Sequence, residues 1–143
     1  MGVQKDKIEE FLRQVDASFP VPLSIKQDLS LFANKLCEKA TLCFHRDGDE
    51  IAAMVAGYTD NVIENKAYIS IVATKEQYRG RGYAAACIKE FIQICEEKGL
   101  DGVHLYTDAS NLPAICMYQK NGFVEYLIEN ETRPEDIHLI YWI

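Results

Sequence analysis

At 143 residues, with 48% hydrophobic and 26% charged side chains, the chain has the size and mix of one soluble globular domain spanning residues 1–143. No apolar run is long enough to cross a bilayer, and Met1–Asp6 offers neither a signal-peptide core nor, after Gly2, the Ser or Thr of a myristoylation signal. A formal net charge of -7 argues against nucleic acid or an anionic membrane as partner.

Ile8, Phe11, Leu12 and Val15 fall on one face of a helix over Val3–Val15. Phe19-Pro20-Val21-Pro22-Leu23 cannot continue it, because each proline lacks an N–H and restricts its predecessor. This stiff apolar loop is either ordinary packing or one wall of a pocket. Ser24-Ile25-Lys26-Gln27 reads as a capping box opening a second helix, whose apolar face is Ile25, Leu29, Phe32, Ala33 and Leu36. Thr41–Arg46 and Glu50–Thr59 flank Asp47-Gly48, a turn pair that suits a hairpin.

Tyr68–Ala73 is a further, more apolar strand. A helix over Tyr83–Lys98 follows, stopped by Gly99. Val103–Thr107 is the next strand, and a short helix over Pro113–Lys120 carries its proline near the start and Gly122 past its end. Phe123–Ile128 and Ile137–Ile143 are the last strands, around a polar loop containing Pro134. The five cysteines (Cys37, Cys43, Cys87, Cys95, Cys116) are odd in number, lack CxxC spacing and mostly sit in apolar patterns. They read as reduced thiols of a cytoplasmic protein, not as disulfides or a zinc site.

The stretch between the third strand and the long helix organises the rest. Thr74-Lys75-Glu76-Gln77-Tyr78-Arg79-Gly80-Arg81-Gly82-Tyr83-Ala84 crosses a polar turn and enters the helix through two glycines flanked by arginines. Glycine lets a backbone approach a ligand closely, and the first helical turn presents unpartnered N–H groups at the positive end of its dipole. That is a site for an anion, phosphate above all. Gly80-Arg81-Gly82-Tyr83-Ala84-Ala85 also matches the G-x-G-x-x-A dinucleotide fingerprint, with Asp101 or Asp108 at a tolerable distance. However, Lys75–Arg79 separate it from the strand end, and the hairpins do not suit a doubly wound sheet.

A second motif favours another reading. Asn111-Leu112-Pro113-Ala114-Ile115-Cys116-Met117-Tyr118-Gln119-Lys120-Asn121-Gly122-Phe123 has the form N-x-x-A-x-x-x-Y-x-x-x-G-F. With Gln77-x-x-Gly80-x-Gly82 before it, the ordered pair closely resembles the GCN5-related N-acetyltransferase (GNAT) superfamily. The resemblance covers Ala67 to about Tyr126. It implies an α/β (α+β) domain with a mixed, mostly antiparallel, twisted sheet flanked by helices. The two strands beside the Tyr83–Lys98 helix are parallel and splay apart to admit the cofactor.

The resemblance also implies roles. Gln77, Arg79, Gly80, Arg81, Gly82, Tyr83 and Ala84 match the loop whose main-chain amides hold the pyrophosphate of coenzyme A. Ile71, Val72, Ala73 and Thr74 match the strand end that pairs with the pantetheine arm, one N–H there polarising the thioester carbonyl. Asn111 matches a polar contact to that arm, and Tyr118 the hydroxyl that protonates the departing thiolate. Acyl transfer from a thioester to an amine needs an oxyanion donor, a deprotonated amine and a proton for the leaving group, with no covalent nucleophile. Cys116, two residues before Tyr118, faces elsewhere on a helix and reads as a core or lining thiol.

One position departs from the family. Where the histone-acetylating branch places a glutamate general base, this chain has Lys66, so no base is carried over. Glu64, Glu76 and Asp108 are the substitutes to weigh against simple surface carboxylates, and waters or an amine arriving neutral would also serve. His104 reads as a hydrogen-bonded core histidine ahead of a catalytic one, and His45 and His138 as structural or exposed. The expectation is transfer of an acetyl group from acetyl-CoA to a primary amine of a small molecule or peptide, with homodimer formation open. The alternative is a non-catalytic acyl-CoA-binding or sensory module on the same fold.

Overall fold

The computed structural model describes residues 2–143, with side chains from Gln4 onward. The N-terminal readings resting on Met1 and on the side chain of Val3 lie outside them. Helix α1 (Gly2–Val15) buries Ile8, Phe11, Leu12 and Val15, the face its spacing predicts. A short 3-10 turn (Asp16–Ser18) and the proline loop lead to a single helical turn, α2 (Leu23–Lys26), and then to α3 (Leu29–Lys39).

The start of the second long helix differs from expectation. Ser24 does not cap it; its N–H and hydroxyl donate to the Asp16 carboxylate at 2.8 and 2.6 Å. Asp28 is the cap instead, accepting from the Leu31 N–H at 3.0 Å. Ile25 therefore falls outside the helix and is exposed, while Leu29, Phe32, Ala33 and Leu36 are buried as predicted.

Strands β1 (Thr41–Asp47) and β2 (Glu50–Tyr58) form the expected hairpin, but Asp47 pairs with Glu50, so the two-residue turn is Gly48-Asp49. β3 (Lys66–Thr74) is followed by α4 (Tyr83–Glu97), then β4 (Gly102–Asp108) and α5 (Leu112–Lys120). The last pair is β5 (Val124–Glu125) and β6 (Asp136–Trp142). β5 is much shorter than the predicted Phe123–Ile128. Phe123 turns into the core, and after one further bond, Tyr126 N–H to the His138 carbonyl at 2.8 Å, the chain leaves the ladder with Leu127 in solvent.

The six strands form one mixed sheet in the order β1-β2-β3-β4-β6-β5, antiparallel except for β3 beside β4. Two apolar layers cover it. Cys87, Ile88, Phe91, Ile92 and Cys95 of α4 pack on one face with Ala53, Val55, Ala67 and Ile69. On the other, α1 and α3 pack on Ile51, Met54, Ala56, Ile71 and Ala73. The layers change hands along β3 at an irregularity. Gly57 pairs with Ile69 and Ala56 with Ile71, so Ser70 is an extra residue and the alternation flips there. Gly57 is required at this point, since a Cβ would stand 2.6 Å from the Phe91 ring and from the Tyr68 carbonyl.

Candidate active site

Parallel pairing between β3 and β4 extends only over Lys66–Tyr68 against Gly102–His104. Beyond Tyr68 the two strands separate, leaving the β4-facing edge of Ile69–Thr74 without a ladder partner. An unpaired edge of main-chain donors and acceptors can take an extended, amide-bearing ligand as an additional strand. The bulge at Ser70 lies where the separation begins and re-aims Ile71 and Val72. A cavity of about 640 Å³ fills the opening, and Ile71, Val72, Asn111 and Tyr118 all line it. Its far wall is the proline loop, through Phe19, Pro20, Val21 and Leu23.

Tyr118 is buried against the core, its ring centroid 5.7 Å from that of Phe123. Burial raises its phenol pKa well above the usual range, so the hydroxyl is protonated at neutral pH. Asn111 caps α5, its side-chain oxygen accepting from the Ala114 N–H at 3.4 Å. Ala73 and Thr74 do not line the cavity: Ala73 packs toward α1 and α3, and the Thr74 carbonyl accepts from Arg79 Nε at 3.3 Å.

The glycine turn stands past the end of β3. Gly80 and Gly82 have φ of +79° and +80°, and a Cβ at either would meet no atom within 4 Å. The first α4 bond runs from Ala86 N–H to the Gly82 carbonyl, so the amides of Tyr83, Ala84 and Ala85 have no intrahelical acceptor. Space, left-handed glycines and free amides all fit a pyrophosphate.

The side chains of the turn are differently occupied. Arg79 donates to Ser18 Oγ at 2.6 Å, Arg81 lies 5.4 Å over the Tyr78 ring, and Tyr83 stacks on His45 at 3.7 Å. Gln77 Nε2 reaches Glu50 at 3.5 Å. The main-chain amides of this turn are thus free, as are the guanidinium donors of exposed Arg81, whose contact is with the Tyr78 ring.

Glu50, which the sequence did not mark, anchors the turn. It pairs with the buried Lys75 ammonium at 2.7 Å and accepts from the Tyr78 hydroxyl at 3.2 Å. Asp47 takes the same hydroxyl at 2.7 Å and, with burial and Glu50, pushes its pKa up to about 12. No local spacing links Glu50 to Lys75; only the β2–β3 ladder brings them together.

Of the three substitute carboxylates, Asp108 alone lines the cavity. Ser110, through its hydroxyl and its N–H, holds the Asp108 pKa below the usual value. Glu64 and Glu76 are exposed, and Lys66 donates to the Glu64 carbonyl at 3.2 Å.

His104 is hydrogen-bonded, as expected: its Nδ1 lies 2.7 Å from His138 Nε2. Burial, then the neighbouring His138, lowers its pKa to about 4. His138 is buried, with Nδ1 donating to Glu131 at 2.7 Å. Burial pushes the Glu131 carboxyl up, but bonds from Tyr106 and His138 outweigh this and bring it to about 2. The sequence showed this region only as a polar loop.

The sequence matches the profile of the acetyltransferase (GNAT) family over residues 8–123, most of its length. The chain belongs to the acetyltransferase (GNAT) family. It is 30% identical over 83 residues to an N-alpha-acetyltransferase of Arabidopsis thaliana, an alignment covering 58% of this chain and 43% of that one. With a mycothiol acetyltransferase of Corynebacterium aurimucosum it shares 40% over 55 residues, covering 38% of this chain and 18% of the relative. The match thus spans less than half the length of both curated relatives. Among solved structures, PaiA N-acetyltransferase of Thermoplasma acidophilum in complex with coenzyme A superposes with a TM-score of 0.77 at 15% identity. The superposition covers 99% of this chain and 94% of that chain. The GNAT fold is common to both.

Proposed function

We propose that this GNAT-family chain, as one domain, transfers an acetyl group from acetyl-CoA to a primary amine by direct attack on the thioester. The observation that carries this reading is the opening between β3 and β4, with Tyr118 on its wall and a cradle of free amides past its strand end. Acetyl-CoA supplies the activated acyl group. The Tyr83–Ala85 amides would hold its pyrophosphate at the positive end of α4, and the free edge at Ile71–Thr74 its pantetheine arm.

A main-chain N–H on that edge would stabilise charge developing on the carbonyl oxygen. Tyr118, kept protonated by burial, would donate to the sulfur. Asn111 stands where it can meet the arm. The acceptor enters between the proline loop and β4. Asp108, which lines the cavity, and water are the routes open to its proton.

One relative is named an N-alpha-acetyltransferase, which supports a primary amine as the acceptor class. The test has two arms: calorimetric titration with acetyl-CoA, and thiol release with a panel of an amino-acid amide, a diamine and a lysine peptide. Saturable binding with amine-dependent thiol release supports transfer. Binding without release would make the chain an acyl-CoA-binding module, and no binding would end the cofactor reading.

A further inference from the structure

The connection Tyr126–Glu135 between β5 and β6 has no regular secondary structure and no buried residue, and Leu127 and Ile128 turn their apolar side chains outward. Apart from the half-buried Tyr126 ring, which packs on His138 and Trp142 at its start, the segment is held by polar contacts. Those contacts converge on Glu131. Its carboxylate accepts from the Tyr106 hydroxyl, from His138 Nδ1 at 2.7 Å and from the Arg133 main-chain N–H at 3.1 Å. Behind it His138 is braced by His104 at 2.7 Å and stacks on Tyr106 with centroids 4.0 Å apart.

Two residues fixed in this way line the cavity that Glu131 itself does not reach. Arg133 lies 4.6 Å over the Tyr106 ring and bonds Asp136 at 2.8 and 2.6 Å. Tyr106 and Arg133 form the wall on the β4 and β6 side, facing the proline loop. We propose that Glu131 is the positioning residue of the acceptor wall: it fixes Tyr106 and Arg133, and through them how tightly the amine acceptor is held. This inference rests on the acetyl-transfer reading above. Glu131 is remote from the glycine turn, so cofactor affinity should not depend on it.

The test is steady-state kinetics of Glu131→Gln with whichever panel amine the wild type turns over fastest, alongside acetyl-CoA calorimetry and thermal melting. Gln keeps the shape but loses the charge that strengthens all three bonds. The acceptor KM should rise about tenfold, the effect of one charge-assisted hydrogen bond. Turnover at saturating amine and acetyl-CoA affinity should stay near wild type. Leu127→Ser, a change on the exposed side of the same connection, should alter none of them.

An unchanged acceptor KM in folded Glu131→Gln would overturn the inference and leave the acetyl-transfer reading standing. So would a joint fall of turnover, cofactor affinity and melting temperature, which is what a merely structural residue gives. Should Glu131→Gln not fold, His138→Leu removes one donor to the same carboxylate and carries the same comparison. A wild type that transfers acetyl to no amine would overturn both readings together.

Discussion

Tyr118 and His104 are both partly apolar in setting, yet burial acts on them in opposite directions. It keeps the Tyr118 phenol protonated and His104 neutral, because in each case the charged form is the one disfavoured. Tyr118→Phe keeps the ring in place and removes the proton, so the loss should appear in kcat. A thiolate is already a fair leaving group, so about 100-fold, the lower end for such proton transfer, is expected, with acetyl-CoA affinity and Tm unmoved. Full turnover where chemistry limits the rate would remove Tyr118 from the mechanism.

For His104 the pKa is depressed from 6.5 to about 4, so between these values the unfolded chain binds more protons than the folded one. Its contribution is complete above pH 6.5 and is lost as pH falls through 4, a change of about 3 kcal/mol. Denaturant melts across that window should show the slope, and His104→Gln should flatten it.

Among the elements, the turn from β3 into α4 leaves main-chain amides open beside two left-handed glycines, and the proposed cofactor site rests on it. Gly82 carries φ +80° with open space beside its Cα, so a side chain there strains the backbone and occupies the space in front of the amides. Gly82→Val should cost about 1–2 kcal/mol of stability from the left-handed backbone alone. It should also weaken acetyl-CoA binding at least about tenfold, because the side chain enters phosphate space. Calorimetry showing wild-type affinity in the folded variant would remove this turn from the cofactor site.

The β3 bulge is a second device at this scale. Ser70 gives no sign of it in the sequence, since a one-residue irregularity depends on how β2 and β3 pair and not on local pattern. The extents of β3, α4, β4 and α5 were legible because strong periodicity and end signals coincided there. The α3 start was misread because Ser24 offered a plausible cap whose true partner, Asp16, lies eight residues earlier.

Over the whole molecule, the residues of the proposed cofactor site lie in sequence motifs, and those of the proposed acceptor wall are brought together by tertiary contacts. Gln77–Ala84 and Asn111–Tyr118 are contiguous stretches, legible by spacing. Glu50 meets Lys75 and Tyr78 across the sheet, and Glu131 meets Tyr106, 25 residues away, so no local window contains either set. The proline loop closes the remaining wall. Phe19→Ala should raise the acceptor KM about fivefold, the effect of roughly 1 kcal/mol of lost apolar contact, without altering acetyl-CoA affinity. Equal effects on both ligands, or a lowered Tm alone, would make the loop ordinary packing.

The central claim is that amine and thioester meet directly in the opening between β3 and β4. It is tested most directly by mixing the chain with acetyl-CoA, with and without the best panel amine, and following thiol release and the intact mass of the protein together. The account predicts thiol release only when amine is present, one thiol per acetylated amine, and no change in protein mass. Thiol release without amine, accompanied by gain of an acetyl group on the chain, would contradict it.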